Sequence, residues 1–511
     1  MIFINSLVSW LIKKRIHQID LFVKYPIEVQ QELLRKLLST ASNTYFGKKY
    51  NFKDIRSIRE FQEQVPLHDY NSLKIYIDDL MQGKQNILWP SDIKWFAQSS
   101  GTTSDKSKYI PVSFETLEEC HYRGSRDAIS FYYHHNPQAS IFSGKGLILG
   151  GSHKLKEINQ ESYYIGDLSA ILLQNMPFIG QIKSTPELSI ALMDEWESKI
   201  DQIAQTTANH NVTSLSGVPS WTLVLIRKIL EQTGKSNLLE VWPNLELFFH
   251  GGVAFHPYKD QFKKLIPSEN MKYIETYNAS EGFFAIQNEP DKDDMLLMLD
   301  YGVFYEFILM DHIEQANPEV ITLANVVKGK NYAMIITTNS GLWRYMIGDT
   351  VTFTSTYPFK IKITGRTRHF INAFGEELII ENAEKALSIA CHKCNALISE
   401  YTAAPCYIKD NHSGAHEWLI EFELAPSDIA FFAEVLDNAL KSLNSDYEAK
   451  RYNNMILKPP IIHMAKKGTF YAWLKNKGKL GGQHKVPRLA NDRKFMDDIL
   501  SMKLWNQNFS N

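Results

Sequence analysis

The sequence predicts an α/β protein of two domains, a large amino-terminal α/β domain on a largely parallel sheet and a small carboxy-terminal α+β domain. Three observations predict it. The 511 residues exceed what one hydrophobic core organises, since cores stop growing at roughly 250–300 residues. Between about residues 90 and 340, short apolar runs bounded by glycine alternate with helical patterns, the signature of a sheet with crossover helices. After Gly365-Arg366 the chain passes through Phe370-Ile371-Asn372-Ala373-Phe374-Gly375 into a more polar, self-contained stretch. The expected domains are therefore 1–367 and 368–511.

The elements follow in order. After Pro26, Val29, Leu33, Leu34, Leu37 and Leu38 recur at helical spacing and predict an amphipathic helix. Gly146 to Gly151 and Leu245 to Gly252 read as buried strands, and Lys272 to Thr276 as another. Ligands in such folds gather at the carboxyl ends of strands. In the small domain, Trp418, Ile420 and Phe422 alternate along a strand. Ile429, Phe432, Leu436, Leu440 and Leu443 mark one helix face, with Ser427 as the expected cap. Lys466-Lys467-Gly468 and Lys475 to Lys479 read as a basic loop region.

Lys and Arg total 55 against 57 for Asp and Glu, so no global basic field exists to gather nucleic acid or an anionic membrane. Four cysteines, Cys120, Cys391, Cys394 and Cys406, cannot build a disulfide framework for this length, which points to a reducing, cytoplasmic setting. The apolar start, Met1 to Trp10, precedes Lys13, Lys14 and Arg15 rather than following a basic region, unlike a signal peptide. No window reaches the roughly 18 apolar residues of a membrane span. A soluble monomer acting on small molecules is the expectation.

Three segments carry candidate chemistry. Ser99-Ser100-Gly101-Thr102-Thr103, continuing to Lys108, concentrates hydroxyls, a glycine and lysines, donors suited to phosphate oxygens. It lacks the Gly-x-x-x-x-Gly-Lys-Ser/Thr spacing, and taken alone a solvated Ser/Thr turn is an equally good reading. Tyr277-Asn278-Ala279-Ser280-Glu281 follows a strand, so Glu281 should lie at a strand end where a hard cation could bridge it to phosphates, although an ordinary turn glutamate has the same pattern. In Arg344 to Asp349 a carboxylate follows Gly348, as where an acid accepts hydrogen bonds from ribose hydroxyls.

In order and spacing these segments resemble the three motifs of the adenylate-forming superfamily, and most of all its acyl acid amido synthetase branch, the auxin-responsive promoter family. The resemblance covers most of the chain. Ile87-Leu88-Trp89-Pro90, His250-Gly251-Gly252-Val253 and Thr364-Gly365-Arg366 also look like this family. It implies a two-domain adenylate-forming enzyme using ATP and Mg2+. Ser99, Ser100, Thr102, Thr103 and Lys108 would hold the phosphates. Tyr277, Ser280 and Glu281 would serve adenine, substrate and magnesium. Asp349 would hold the ribose, and Arg366 would sit beside the nucleotide. Gln483 to Arg488 resembles the family's carboxy-terminal Lys-x-Pro-Arg segment and makes Lys485 the catalytic lysine. The family's glycines give way here to Ser104 and Asp105. Its acid-binding arginine has two counterparts, Arg123 and Arg126, with preference to Arg126. The acid pocket is expected to draw on Leu168 to Phe178, Val218 to Trp221 (Val218 and Trp221 above all) and Phe255.

The implied reaction joins a carboxylic acid to the amino group of an amino acid through an acyl-adenylate. A coenzyme A ligase and a nucleotide sensor without turnover are the alternatives. Cys391-His392-Lys393-Cys394 has no second ligand pair and reads as helix surface rather than zinc. His134-His135 reads as a helix end, and Phe304 to Phe307 as strand packing rather than a base-stacking platform.

Overall fold

The computed structural model describes residues 14–99, 108–151, 153–158, 161–252, 255, 258–290, 292–313, 315, 317–367, 370–371, 373–374, 376, 378–407, 414–451, 457–480 and 485–506. The chain resolves into two compact units. One holds residues 1–218, 239–252 and 269–362, the other residues 219–238, 253–268 and 363–511.

In the large unit, helix α1 (Pro26–Ala41) carries proline in its first turn, where a missing N–H costs nothing. Its buried face is Gln30, Leu34, Leu37, Leu38 and Ala41, so the apolar stripe is rotated slightly from the expected one. Gln30 is tolerated there because its Nε2 donates to the carbonyls of Leu299 and Val303 while its Oε1 accepts from Tyr305 N, all at 2.9 Å.

A four-stranded sheet in the order β2-β1-β5-β4 contains β1 (Trp95–Ser99), β2 (Lys108–Val112), β4 (His153–Ile158) and β5 (Glu161–Gly166). The main sheet has twelve strands, in the order β13-β12-β14-β15-β16-β11-β10-β9-β8-β7-β3-β6. β3 (Lys145–Ile148), β6 (Ser184–Thr185), β7 (Val212–Gly217), β8 (Leu247–Gly251) and β9 (Lys272–Ala279) run parallel. Beyond β9 the order changes. β10 (Gly282–Ile286), β11 (Met295–Leu297), β12 (Val303–Leu309), β13 (Val320–Thr322), β14 (Asn331–Thr338), β15 (Tyr345–Thr356) and β16 (Phe359–Arg366) enter through antiparallel pairs such as β9–β10, β10–β11 and β12–β14. The expected parallel sheet thus holds only as far as Ala279. Parallel strands of one sheet need long crossovers, as α3 (Trp196–Thr207) supplies between β6 and β7 on either side of β3, whereas β9 and β10 are joined by Ser280-Glu281 alone.

Helix α2 (Tyr122–His135) ends at His134-His135 and lies against β10. A Cβ built on Gly124 would stand 2.6 Å from Cγ of Phe283. Gly124→Ala is accordingly expected to lower the thermal midpoint by an amount equivalent to about 1–3 kcal/mol. Scanning calorimetry checks this; an unchanged midpoint would mean that the Phe283 ring yields freely.

In the small unit, β17 (Phe370–Ile371) pairs with β18 (Leu378–Ile379), and β19 (Leu397–Tyr407), β20 (Gly414–Leu424), β21 (Ile461–Ala465) and β22 (Trp505–Asn506) form one sheet. Helices α4 (Pro219–Thr233) and α5 (Lys259–Leu265) belong to this unit, as do α6 (Ile380–Lys393) and α7 (Ile429–Leu443). Leu387, Trp418, Ile420, Phe432 and Leu436 share its core. The cap of α7 is Asp428 rather than Ser427: its carboxylate accepts from the N–H groups of Ala430 and Phe431, which only a residue directly preceding the helix can reach. Cys391 lies in the last turn of α6 and Cys394 caps it. The expected basic loop contains helix α8 (Thr469–Asn476), which buries Thr469, Phe470, Trp473 and Leu474 and receives Glu421 at its start, where Gly468 N and Phe470 N donate to the carboxylate.

Candidate active site

The carboxyl ends of the parallel strands carry Gly150-Gly151 after β3, Gly217 at the end of β7, Gly251-Gly252 at the end of β8 and the Ser280-Glu281 turn after β9. Gly252 has φ +81°, a conformation glycine adopts without strain. Lys199, buried on α3, donates to the carbonyls of Gly150 at 2.6 Å and Gly151 at 3.0 Å. Burial pulls its ammonium down to about 8. Sequence reasoning passed over this lysine; its place in the buried stripe of α3 with Ile200 and Ile203 was the available signal.

Tyr277 donates from its hydroxyl to Asp349 Oδ2 at 2.6 Å, and both residues are buried. Three strands intervene between β9 and β15, which a flat sheet would hold roughly 19 Å apart. The sheet therefore curls, and its concave face brings the second and third motifs into direct contact. Gly348, with φ +89°, makes the backbone turn immediately before Asp349. Ser280 and Glu281 are each 6% exposed, so Glu281 is a buried carboxylate and not a solvated turn residue.

The first motif lies partly outside the described residues: Ser100, Gly101, Thr102 and Thr103 through Ser107 are not described. Its ends are. Ser99 closes β1, Lys108 opens β2, and the two are register partners, so the hydroxyl-rich loop is shut at its base. The Lys108 ammonium stands 5.9 Å over the Tyr70 ring. The flanking segment reaches the third motif, since Trp343 Nε1 donates to the Leu88 carbonyl at 3.1 Å.

Each candidate arginine bonds a backbone carbonyl. Arg126 is exposed and donates to the Glu118 carbonyl at 3.3 Å. Arg123 is half-buried and donates to the Asp300 carbonyl at 3.0 Å. The helix face that meets β9 and β10 carries His121 and Gly124; at 100° per residue, Arg123 and Arg126 fall about 160° and 140° away from His121. His121 is fully buried, with Nδ1 3.0 Å from Asn278 Oδ1, and burial pulls it down to about 4, which keeps it neutral. Glu275 on β9, two residues before Tyr277, is pushed up to about 7 by burial, with Asp293 adding to the effect and Lys362 opposing it. His121 and Glu275 are both polar residues in otherwise apolar patterns, the one sign sequence reasoning could have used.

In the small unit, Arg366 ends β16 half-buried. Trp221 on α4 and Lys485 line a cavity of about 110 Å³ together with Arg227, Glu400, Glu421 and Arg488. Val218 ends the first segment of the large unit. No group of three or more His, Cys, Asp or Glu among the described residues could hold a metal ion, and no described helix is long and apolar enough to cross a membrane.

The fold is that of the adenylate-forming ligases. A solved acyl acid amido synthetase in complex with 2,4-DB, AtGH3.15, superposes with a TM-score of 0.77 at 18% identity, over 97% of this chain and 96% of that one. 2-Hydroxyisobutyryl-CoA ligase in its postadenylation state matches with a TM-score of 0.61 at 12% identity, over 93% and 91%. The chain belongs to the GH3 family and so is an enzyme of the ligase class: the family's N-terminal domain matches residues 15–271, its central domain 296–366 and its C-terminal domain 381–494. Indole-3-acetic acid-amido synthetase GH3.3 of Arabidopsis thaliana is 22% identical over 557 aligned positions, covering 94% of this chain and 92% of the relative.

Proposed function

We propose that the protein activates a carboxylic acid with ATP as an acyl-adenylate and passes the acyl group to the amino group of an amino acid, giving an amide, AMP and pyrophosphate. The observation that carries this reading is the Tyr277–Asp349 hydrogen bond beside buried Glu281, at the strand ends of a GH3-family chain. The donor set fits a magnesium nucleotide: a hydroxyl-rich loop closed at Ser99 and Lys108, one buried carboxylate for the cation and another for the ribose.

In this reading Ser99, Ser100, Thr102, Thr103 and Lys108 bind the phosphates, Tyr277 and Ser280 border the base and substrate, Asp349 holds the ribose and Arg366 lies beside the nucleotide. Glu281 would hold magnesium, which would supply positive charge to offset that of the pyrophosphate. The substrate carboxylate attacks the α-phosphorus in line, the bond to pyrophosphate breaks, and Lys485 offsets the charge that builds between them. The amine then attacks the mixed anhydride and AMP leaves. The segment 368–511 acts as a mobile domain turning about Thr367 and Arg368 between the two steps. The protein works as a cytoplasmic monomer. GH3.3 is named for indole-3-acetic acid and the AtGH3.15 complex holds 2,4-DB, so indolyl and aryl-linked carboxylates are the acids to try first.

With magnesium and ATP, at least one such acid is expected to support exchange of labelled pyrophosphate into ATP, and removing magnesium with EDTA is expected to abolish it. If the folded protein binds ATP yet no acid supports exchange, adenylation is the wrong reading. Mass spectrometry of products formed with an amino-acid mixture and with coenzyme A separates amide from thioester.

A further inference from the structure

We infer that Cys120 and His121 are positioning residues that fix the Ser280-Glu281 turn, grasping both arms of the β9–β10 hairpin one residue pair away from it. The inference rests on the reading of Glu281 as the magnesium ligand. Phe283 N donates to Cys120 Sγ at 3.1 Å, and the thiol points back at the Phe283 carbonyl at 3.6 Å. His121 Nδ1 meets Asn278 Oδ1 at 3.0 Å. Phe283 and Asn278 are cross-strand partners, and the next pair outward, Gly282 and Ala279, closes directly onto Ser280-Glu281. Two consecutive side chains therefore hold opposite arms of the hairpin at the same level.

The helix supplies this pair where its winding is irregular. Thr116–His121 is a π-helical turn running into α2, a distortion common where a helix must present side chains out of ordinary phase. Its start is pinned as well. Ser113 Oγ donates to the Asn339 carbonyl at 2.7 Å, and Thr116 Oγ1 donates to Asn339 Oδ1 at 2.9 Å. Ser113 directly follows β2, whose first residue, Lys108, closes the hydroxyl-rich loop. Fourteen consecutive residues, 108 to 121, thus run from the base of that loop to the grip on the Glu281 turn. A fully buried neutral imidazole is a costly way to fill space, and His121 Nε2 finds no partner among the described residues. Phenylalanine would fill the volume without that cost; what it could not do is bond Asn278.

The test uses His121→Phe, His121→Gln and Cys120→Ala in the full chain. Mn2+, standing in for magnesium, is titrated against each protein with α,β-methylene-ATP and followed by electron paramagnetic resonance, beside the magnesium dependence of pyrophosphate exchange. His121→Phe is expected to weaken Mn2+ binding by about 10-fold, within the range for residues that orient a metal ligand. Its thermal midpoint should stay within about 2 °C of wild type. His121→Gln, which can still donate to Asn278, should recover most of the affinity. Wild-type Mn2+ affinity in folded His121→Phe overturns the inference. If that variant does not fold, Cys120→Ala decides by the same readout, and wild-type affinity there overturns it equally. Wild-type protein that supports no exchange with any acid overturns the adenylation reading instead, and this inference with it.

Discussion

Lys485→Ala is expected to slow acyl-adenylate formation by about 10²–10³-fold, the usual loss on removing a donor aimed at developing transition-state charge, with ATP affinity held within about threefold. The structure shows why this lysine is presented on a firm base. The residues after it are laced to β19: Thr402 Oγ1 donates to the Pro487 carbonyl at 2.6 Å, Ala403 N to the Arg488 carbonyl at 2.9 Å, and Ala490 N to the Ala403 carbonyl at 3.1 Å. Arg488 is held further by the Tyr258 hydroxyl at 2.6 Å and by an ion pair with Glu400. Lys485 stands one residue before buried Val486, at the start of this anchored run. A cation carried on a fixed segment needs little reorganisation as charge develops, which is where electrostatic catalysis gains most. The half-reactions distinguish this role from general damage. Single-turnover adenylation should fall, while amide formation from a presynthesised acyl-adenylate should stay within about threefold of wild type. Equal adenylation rates in variant and wild type would strip Lys485 of the role.

What could be read from the sequence followed from how locally each feature is encoded. The helix after Pro26, the strands at Gly146, Leu247 and Lys272 and the helix from Ile429 rest on periodicity and glycine boundaries, which act within a few residues. The switch from parallel to antiparallel pairing at Ala279 is written in a two-residue connection, visible only once Gly282 to Ile286 is recognised as a strand. Helix α8 hid behind its lysines, although Phe470, Trp473 and Leu474 keep helical spacing. Motif order singled out Tyr277, Glu281 and Asp349, all three buried. It could not show that Tyr277 and Asp349 bond across a curled sheet, because curvature depends on distant packing. For a similar reason a charge pattern does not say which face of α2 meets the sheet, whereas His121, Gly124, Ala128 and Phe131, all buried, trace that face at three- and four-residue steps.

Arg344 sits inside the third motif, yet its surroundings assign it to folding, and Arg344→Ala is expected to destabilise the large unit by about 3–5 kcal/mol. Its guanidinium meets Glu306 through Nε at 3.0 Å and Nη2 at 3.1 Å, and Nη1 donates to the carbonyls of Gln62 and Val65 at 2.9 and 2.7 Å. Gln62 Nε2 donates in turn to Glu306 at 2.9 Å, and the Arg344 carbonyl accepts from His68 N at 2.9 Å. Both charged groups are buried, Arg344 at 3% exposure and Glu306 at 0%. Removing the cation therefore leaves a carboxylate with neither water nor a countercharge, and the Gln62 and Val65 carbonyls lose their guanidinium donor. Arg344 also holds φ +43°, a strained value for a side-chain-bearing residue that persists where surrounding bonds over-determine it. The double variant Arg344→Met/Glu306→Leu should recover part of the loss, since it orphans no charge, with Gln62 left to find a new partner. Urea unfolding of the single and double variants measures both effects, and ATP titration well below the unfolding midpoint separates the roles. A folding residue leaves nucleotide affinity within about threefold of wild type in the folded variant. A stable Arg344→Ala protein that has lost ATP binding would place this arginine on the nucleotide instead.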